Sequence, residues 1–360
     1  MSGKRFARCA TLVAAIALDL VFFRPAGGPA DTGDPLLAFA HGDLTAAMAL
    51  QELHNPDLLD IPGVAGTAVS IGLDGRPIVK VYLASAGILG LPASLDGHGY
   101  VTEVTGAFRA LGDMPTSGGD PVNGTDESES TDPRQSFPRP VPIGVSTGQF
   151  DVTAGTIAAR VVSGSNVYAL SNNHVYANRN AAKLGDHVLQ PGTVDGGVNP
   201  TDAIGTLHDF EPIRFCSPFP TCPANTIDAA IATTTIDQLG NSTPGNGYGT
   251  PRSETVKARL GMEVQKYGRT TGHTNSRISG INATMNVGFR DNTARFTGQI
   301  VISGGNFSGP GDSGSLIVSA GSDDEARHPV ALLFAGSQTS TLANPIDLVL
   351  QRFDVTIDGN

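Results

Sequence analysis

Gly309-Pro310-Gly311-Asp312-Ser313-Gly314-Ser315 sets a serine between two glycines, behind an aspartate and ahead of the apolar run Leu316-Ile317-Val318. A serine hydroxyl is a weak nucleophile. It needs a base, an acid that orients the base, and donors for the oxyanion that develops on the attacked carbonyl. Glycines suit the last requirement, because backbone N–H groups turn toward a substrate most easily where no Cβ intrudes. Taken alone, the heptad reads equally well as an ordinary turn between strands. Its meaning rests on finding a histidine and an aspartate upstream.

Of eight histidines, His41, His54, His98, His187, His208, His273 and His328 lie among polar or turn-forming residues. His174 differs. It follows the strand-like run Val167-Tyr168-Ala169-Leu170 and the small polar turn Ser171-Asn172-Asn173. A strand that ends in such a turn holds an imidazole at a sheet rim, fixed yet accessible. The plain alternative is a hydrogen-bonded histidine at a strand end. For the orienting acid, Asp228 interrupts the apolar stretch Ile227 to Ala232, and a buried carboxylate requires a partner. Asp202, Asp209 and Asp237 sit in more polar, turn-like surroundings. The chain order His174, Asp228, Ser313 is one of the three known orders of a serine triad.

With these residues in place, a family resemblance becomes specific. Residues 141–360 resemble a trypsin/chymotrypsin-like serine protease of bacterial type. Leu170-Ser171-Asn172-Asn173-His174-Val175 is similar to the histidine motif of the HtrA-like members. Gly268-Arg269-Thr270-Thr271-Gly272, the segment Ser279 to Asn286, and Pro310-Gly311-Asp312-Ser313-Gly314 resemble the streptogrisin and α-lytic protease branch. The resemblance implies an all-β catalytic domain of two six-stranded antiparallel β-barrels with the site between them. It implies Ser313 as nucleophile, His174 as general base, Asp228 as orienting acid, and the Gly311 and Ser313 amides as oxyanion hole. It also implies an ion pair between Arg269 and Asp312, since the chain has no Arg-Ile-Val-Gly-Gly sequence to supply a freshly cut terminus. The substrate pocket would use Phe307, Ser308, Ala335, Gly336 and Ser337. No carboxylate precedes the nucleophile where a trypsin-type pocket carries one, so a non-basic P1 residue is expected. The chain departs from the family at Ala335, where a serine is common, at Ser315 in place of a second glycine, and in lacking the branch's bracketing cysteines. The chemistry requires no cofactor and no metal.

Bulk properties agree with a β-rich chain. The 360 residues include 45 glycines, only 16 % are charged, and short Val/Ile/Thr runs alternate with Gly, Asn, Pro and Ser. A net charge of −11 argues against nucleic acid as a partner, because phosphate contacts require a basic surface. A protein or peptide substrate is the expected partner. Cys216 and Cys222 enclose five residues and would form a small disulfide loop in an exported protein, or stay free thiols otherwise.

Residues 1–40 read as a leader: Lys4, Arg5 and Arg8 precede an apolar run from Ala10 to Phe23 that Asp19 interrupts. The run is too short and broken for a stable membrane span. Secretion or a periplasmic location is expected, with the cytoplasm as the alternative if the leader is not a signal. Residues 41–111 read as a small α+β domain. A helix capped by Asp43 runs to Asn55, strands over 63–71 and 77–83 flank the Asp74-Gly75 turn, and another strand lies near 100–105. Residues 112–140, rich in Gly, Pro, Ser, Asp and Glu, read as a flexible linker, with a processing site expected near Arg134. In the resembling branch such a front segment inhibits the enzyme until removed; a permanent interaction module is the other reading. For the whole chain the alternative to a serine endopeptidase is a catalytically weak trypsin-like fold acting as a binding or adhesion module.

Overall fold

The computed structural model describes residues 41–112, 131–217 and 219–360. The leader, Cys9 within it, and linker residues 113–130 lie outside the described residues. In chain order the front part supplies α1 (His41–Asp60), β1 (Val64–Ile71), β2 (Pro77–Leu83), β3 (Val101–Val104) and β4 (Phe108–Ala110). Next come β5 (Ser146–Gln149), β6 (Gly155–Thr156), β7 (Ala159–Ser163), β8 (Asn166–Ser171) and the one-turn helix α2 (Asn173–Tyr176). They are followed by β9 (His187–Leu189), β10 (Ala203–Phe210), β11 (Ala224–Asn225) and β12 (Ala230–Thr234). The last stretch holds β13 (Glu263–Gly268), β14 (Gly272–Phe289), β15 (Asn292–Ser303), β16 (Leu316–Ser319), β17 (Pro329–Gly336) and β18 (Ser340–Pro345). Helix α3 (Ile346–Phe353) and β19 (Thr356–Ile357) complete it.

The strands form two sheets. One runs β19-β7-β8-β12-β10-β9-β5-β6. Its end curls back, because residues after β6 bond across: Ile157 N–H donates to the Val145 carbonyl and Ala158 N–H to that of Leu170. Inside lie Ile143, Val145, Ile157, Val175, Val188, Leu207 and Ala230. In the other sheet, pairing runs β13-β14-β15-β18-β17-β16 and returns from β16 to β13. These six strands enclose Val264, Ile278, Ile302, Ile317 and Leu333. The expected six-plus-six division is corrected by the pairing: the sheets hold eight and eleven strands. In the second sheet the surplus is β1, β2, β3, β4 and β11, which attach to β14, β15 and β17 outside the closed ring of six, β2 and β3 following β1.

That addition changes the reading of residues 41–111. Helix, hairpin and later strand are present, but β1 pairs antiparallel with β14 and puts Gly66 opposite Met285 and Thr67 opposite Thr284. Helix α1 stitches the seam. Gln51 donates to the Thr67 hydroxyl at 3.0 Å and to the Asn282 carbonyl at 2.9 Å, and Asn55 donates to the Thr284 hydroxyl at 3.2 Å. The helix also continues past Asn55 through Pro56, because Leu58 and Leu59 complete the apolar cluster with Val64, Val79 and Val81. Burial of two leucines outweighs the hydrogen bond that a proline removes. Past the undescribed gap, residues 131–140 are tied to the first sheet: Phe137 N–H donates to the Gln190 side chain, which donates to the Gln135 carbonyl. No helix among the described residues is long and apolar enough to cross a membrane.

A Cβ at Gly66 would come within 2.6 Å of the Thr284 carbonyl oxygen on the paired strand. Gly66→Ala is therefore expected to cost about 1–3 kcal/mol, as overpacking does. Denaturation will show the loss, and faster amide exchange at Thr284 and Met285 will show that the seam has parted.

Candidate active site

Strand β8 ends at Ser171, and the chain turns through Asn172 into α2. Asn172 occupies the helix N-cap position with an extended backbone, yet its side chain does not cap. Its amide instead donates to the Asp228 carbonyl at 2.7 Å. Asn173 donates to the Glu211 carbonyl and accepts from the Asn180 amide. Val175 and Tyr176 are fully buried. With core contacts below and side-chain bonds on both sides, a single helical turn holds His174 despite being far too short to be stable alone.

Asp228 stands just ahead of β12, which lies beside β8. Its carboxylate accepts from the His174 ring Nδ1 at 2.6 Å and from the His174 amide at 3.2 Å. Its own N–H donates to Asn344. His174 is 1 % exposed and Asp228 fully buried. The short contact fixes the ring's orientation and leaves Nε2 facing away from the acid, the arrangement a general base requires. Nε2 has no hydrogen-bond partner among the described residues.

Ser313 comes from the second sheet, in the turn ahead of β16. Gly311 and Gly314, on either side, have φ of 102° and 94°, a region costly for residues with a Cβ. A Cβ at Gly314 would also collide with Ser171 and Thr156. The Ser313 hydroxyl donates to the Phe334 carbonyl at 3.1 Å rather than to His174. Gly311 N–H donates to the carbonyl of Leu111 at 3.0 Å. Thr156, which the sequence reading passed over, joins the halves. Its amide donates to the Ser313 carbonyl and its hydroxyl to that of Gly311, while its own carbonyl accepts from Ser171.

The ion pair expected between Arg269 and Asp312 is not formed. Arg269 instead makes a two-pronged contact with Asp195, at 2.7 and 2.5 Å, and Asp195 also accepts from Ser146 of the first sheet. Asp312 is paired with Lys266 at 3.4 Å, both side chains fully buried. Its carboxylate also accepts from the amides of Thr270, Thr271 and Gly309 and from the Thr271 hydroxyl. The reason is geometric. Backbone amides of the Arg269-Thr270-Thr271 turn already surround Asp312, so the longer Arg269 side chain is directed outward across the sheet interface. Burial pulls the Lys266 ammonium below the usual lysine range, and the Asp312 charge opposes that pull. Lys266 was legible in principle, because it shares an alternating strand face with the buried Val264.

Of the expected pocket residues, Gly336 lies against the Leu111 side chain, and Phe307 belongs to the same apolar cluster. Ser308 shares a hydrogen bond with Thr341. Ala335 packs instead with Phe108, Ala110 and Phe334, and the Ser337 amide is taken up by the Ser340 carbonyl. Cys216 and Cys222 form a disulfide.

A double-mutant cycle separates the two ion-pair assignments. Arg269→Ala with Asp195→Ala should show a coupling of about 0.5–3 kcal/mol in stability, larger than Arg269→Ala with Asp312→Ala.

No family model matches the chain, and no curated protein matches it. Among solved structures, chymotrypsin-like serine proteases of bacteria match it over about 60 % of its length. They include a glutamic-acid-specific serine protease, at 20 % identity over 60 % of this chain and 100 % of that one, with a TM-score of 0.43. Thermobifida fusca protease A matches at 18 % identity, 61 % of this chain, 100 % of that one and a TM-score of 0.42. Cellulomonas bogoriensis chymotrypsin matches at 16 % identity, 61 % and 99 % coverage and a TM-score of 0.40.

Proposed function

We propose that this chain is a serine endopeptidase that hydrolyses peptide bonds through His174, Asp228 and Ser313. The observation that carries the reading is the buried 2.6 Å contact between His174 and Asp228, beside a serine whose turn aims the Gly311 amide at a peptide carbonyl. Ser313 Oγ attacks the carbonyl carbon, and its proton passes to His174 Nε2. The imidazolium, stabilised by the Asp228 carboxylate, returns that proton to the leaving amine. The acyl-enzyme then forms on Ser313, and water releases it by the same proton transfers in reverse. Gly311 N–H and the Ser313 N–H, which has no hydrogen-bond partner among the described residues, receive the oxyanion. The Cys216–Cys222 disulfide supports a protein made for an oxidising compartment, in keeping with export.

A binding or adhesion module is the second reading, favoured by one observation: the Ser313 hydroxyl is engaged by the Phe334 carbonyl and not by His174. Reaction with a fluorophosphonate decides between them. Wild type is expected to label at Ser313, with labelling abolished in Ser313→Ala and slowed at least ~1000-fold in His174→Ala, in line with losses of four to six orders of magnitude on removing triad members. If Ser313 labels in no form of the chain that carries it, the binding module is left as the reading.

A further inference from the structure

One segment in the cleft is unexplained by the chemistry above. Strand β4 lies between β14 and β17. Phe108 and Arg109 pair in parallel with Val287 and Gly288, while Arg109 and Ala110 pair antiparallel with Gly336 and Ala335. The following two residues lie at the catalytic atoms. Leu111 N–H donates to the Phe334 carbonyl at 3.3 Å, and the Leu111 carbonyl accepts from the Gly311 amide at 3.0 Å. The Leu111 side chain is buried in the cluster that includes Phe307, Ala331 and Leu333, and it lies over the α-carbon of Gly336. Gly112 is against the base: a Cβ there would stand 2.9 Å from His174 Nε2. Its carbonyl accepts from the Thr153 hydroxyl at 3.1 Å.

We propose that the Leu111–Gly112 peptide bond is the chain's own first substrate, and that Leu111 marks an apolar primary pocket made for leucine. This rests on the serine endopeptidase reading. It adds to that reading the bond, the pocket's occupant and a steric demand for glycine after the cut.

Four placements support it together: an extended strand paired antiparallel to β17, an apolar side chain in the pocket, its carbonyl on the Gly311 donor, and the next residue against Nε2. A strand packed there for structural reasons alone would satisfy the first two without the others. In the step itself, Ser313 Oγ forms a bond to the Leu111 carbonyl carbon and its proton passes to His174 Nε2. The bond to Gly112 nitrogen then breaks, and that nitrogen takes the proton and becomes a new amino terminus. Water attacks the Leu111 ester, gives its proton to His174 and restores the serine, leaving Leu111 as a free carboxylate. The side chain shares one apolar cluster with Phe307 and Leu333 and lies against the bare Gly336. A lysine at this position would be desolvated in an apolar cluster, with the Lys266 ammonium already over the Phe307 ring, which excludes it as a preferred residue.

The test is incubation of the full-length chain, followed by mass mapping and terminal sequencing under reducing conditions. Wild type is expected to yield one fragment ending at Leu111 and another beginning at Gly112, while Ser313→Ala stays whole. Gly112→Val is expected to slow the cut about 100-fold, since displacing a reacting group by about 1 Å carries a penalty of that size. Leu111→Lys should abolish the cut yet leave Ser313 reactive to fluorophosphonate, because the charged side chain cannot stay in the pocket. A peptide Phe-Arg-Ala-Leu-Gly should be cleaved at least 100-fold faster than its lysine counterpart at the fourth position. A new terminus elsewhere, such as after Arg134, overturns the proposal, as does cleavage at Leu111 in Ser313→Ala. An intact wild type beside a Leu111→Lys chain that labels also overturns it, while sparing the endopeptidase reading. Failure of both to label or cut would instead bring down that reading itself.

Discussion

A buried carboxylate, Asp312, is the constraint on which the site depends. A charge removed from water is costly by several kcal/mol unless its oxygens are surrounded by donors and its charge is met. Asp312 has both: three backbone amides, one hydroxyl and the Lys266 ammonium. Two of those amides belong to Thr270 and Thr271, at the tip between β13 and β14. The carboxylate therefore clamps the 309–315 turn onto that hairpin, and with it the positions of Ser313 and the Gly311 amide. The tight glycine conformations on either side of the serine persist because the clamp over-determines them.

The same hairpin tip also registers one sheet against the other. While Thr270 holds Asp312, its neighbour Arg269 reaches Asp195 and, through it, Ser146 of the first sheet. Thr156 adds bonds to Ser313, Gly311 and the Arg269 amide. These contacts matter because the residues of the proposed triad are divided between the sheets. His174 follows β8 and Asp228 precedes β12, neighbouring strands of one sheet, while Ser313 comes from a turn of the other. Relative movement of the sheets would separate His174 from Ser313 with no local change in either. Buried, multiply bonded contacts are suited to prevent it, whereas exposed ion pairs would add little.

The front part of the chain is bound into this arrangement rather than appended to it. The β1–β14 seam, with Gln51 and Asn55 across it, positions β3 and then β4, so the strand that enters the cleft arrives from a fixed direction. From sequence, residues 41–111 showed a helix and an Asp74-Gly75 hairpin, since both are local patterns. The destination of the hairpin's outer edge was hidden. Strand edges carry no sequence mark of their partner, and in the register of β1 with β14 the paired Met285 lies 219 residues beyond Gly66.

The sequence by itself determined the local chemistry. Gly-Asp-Ser-Gly gave a serine in a glycine-flanked turn, a strand followed by the turn Ser171-Asn172-Asn173 gave a histidine at a rim, and Asp228 was marked by its apolar surroundings. Such signals are legible because turn geometry, strand period and the cost of a buried charge act over a few residues. Tertiary structure alone decided the partners. It assigned Arg269 to Asp195 and Lys266 to Asp312, and it brought Leu111 against Gly311 and Gly112 against His174, because which groups meet depends on how two sheets meet. Spacing along the chain holds no record of that meeting.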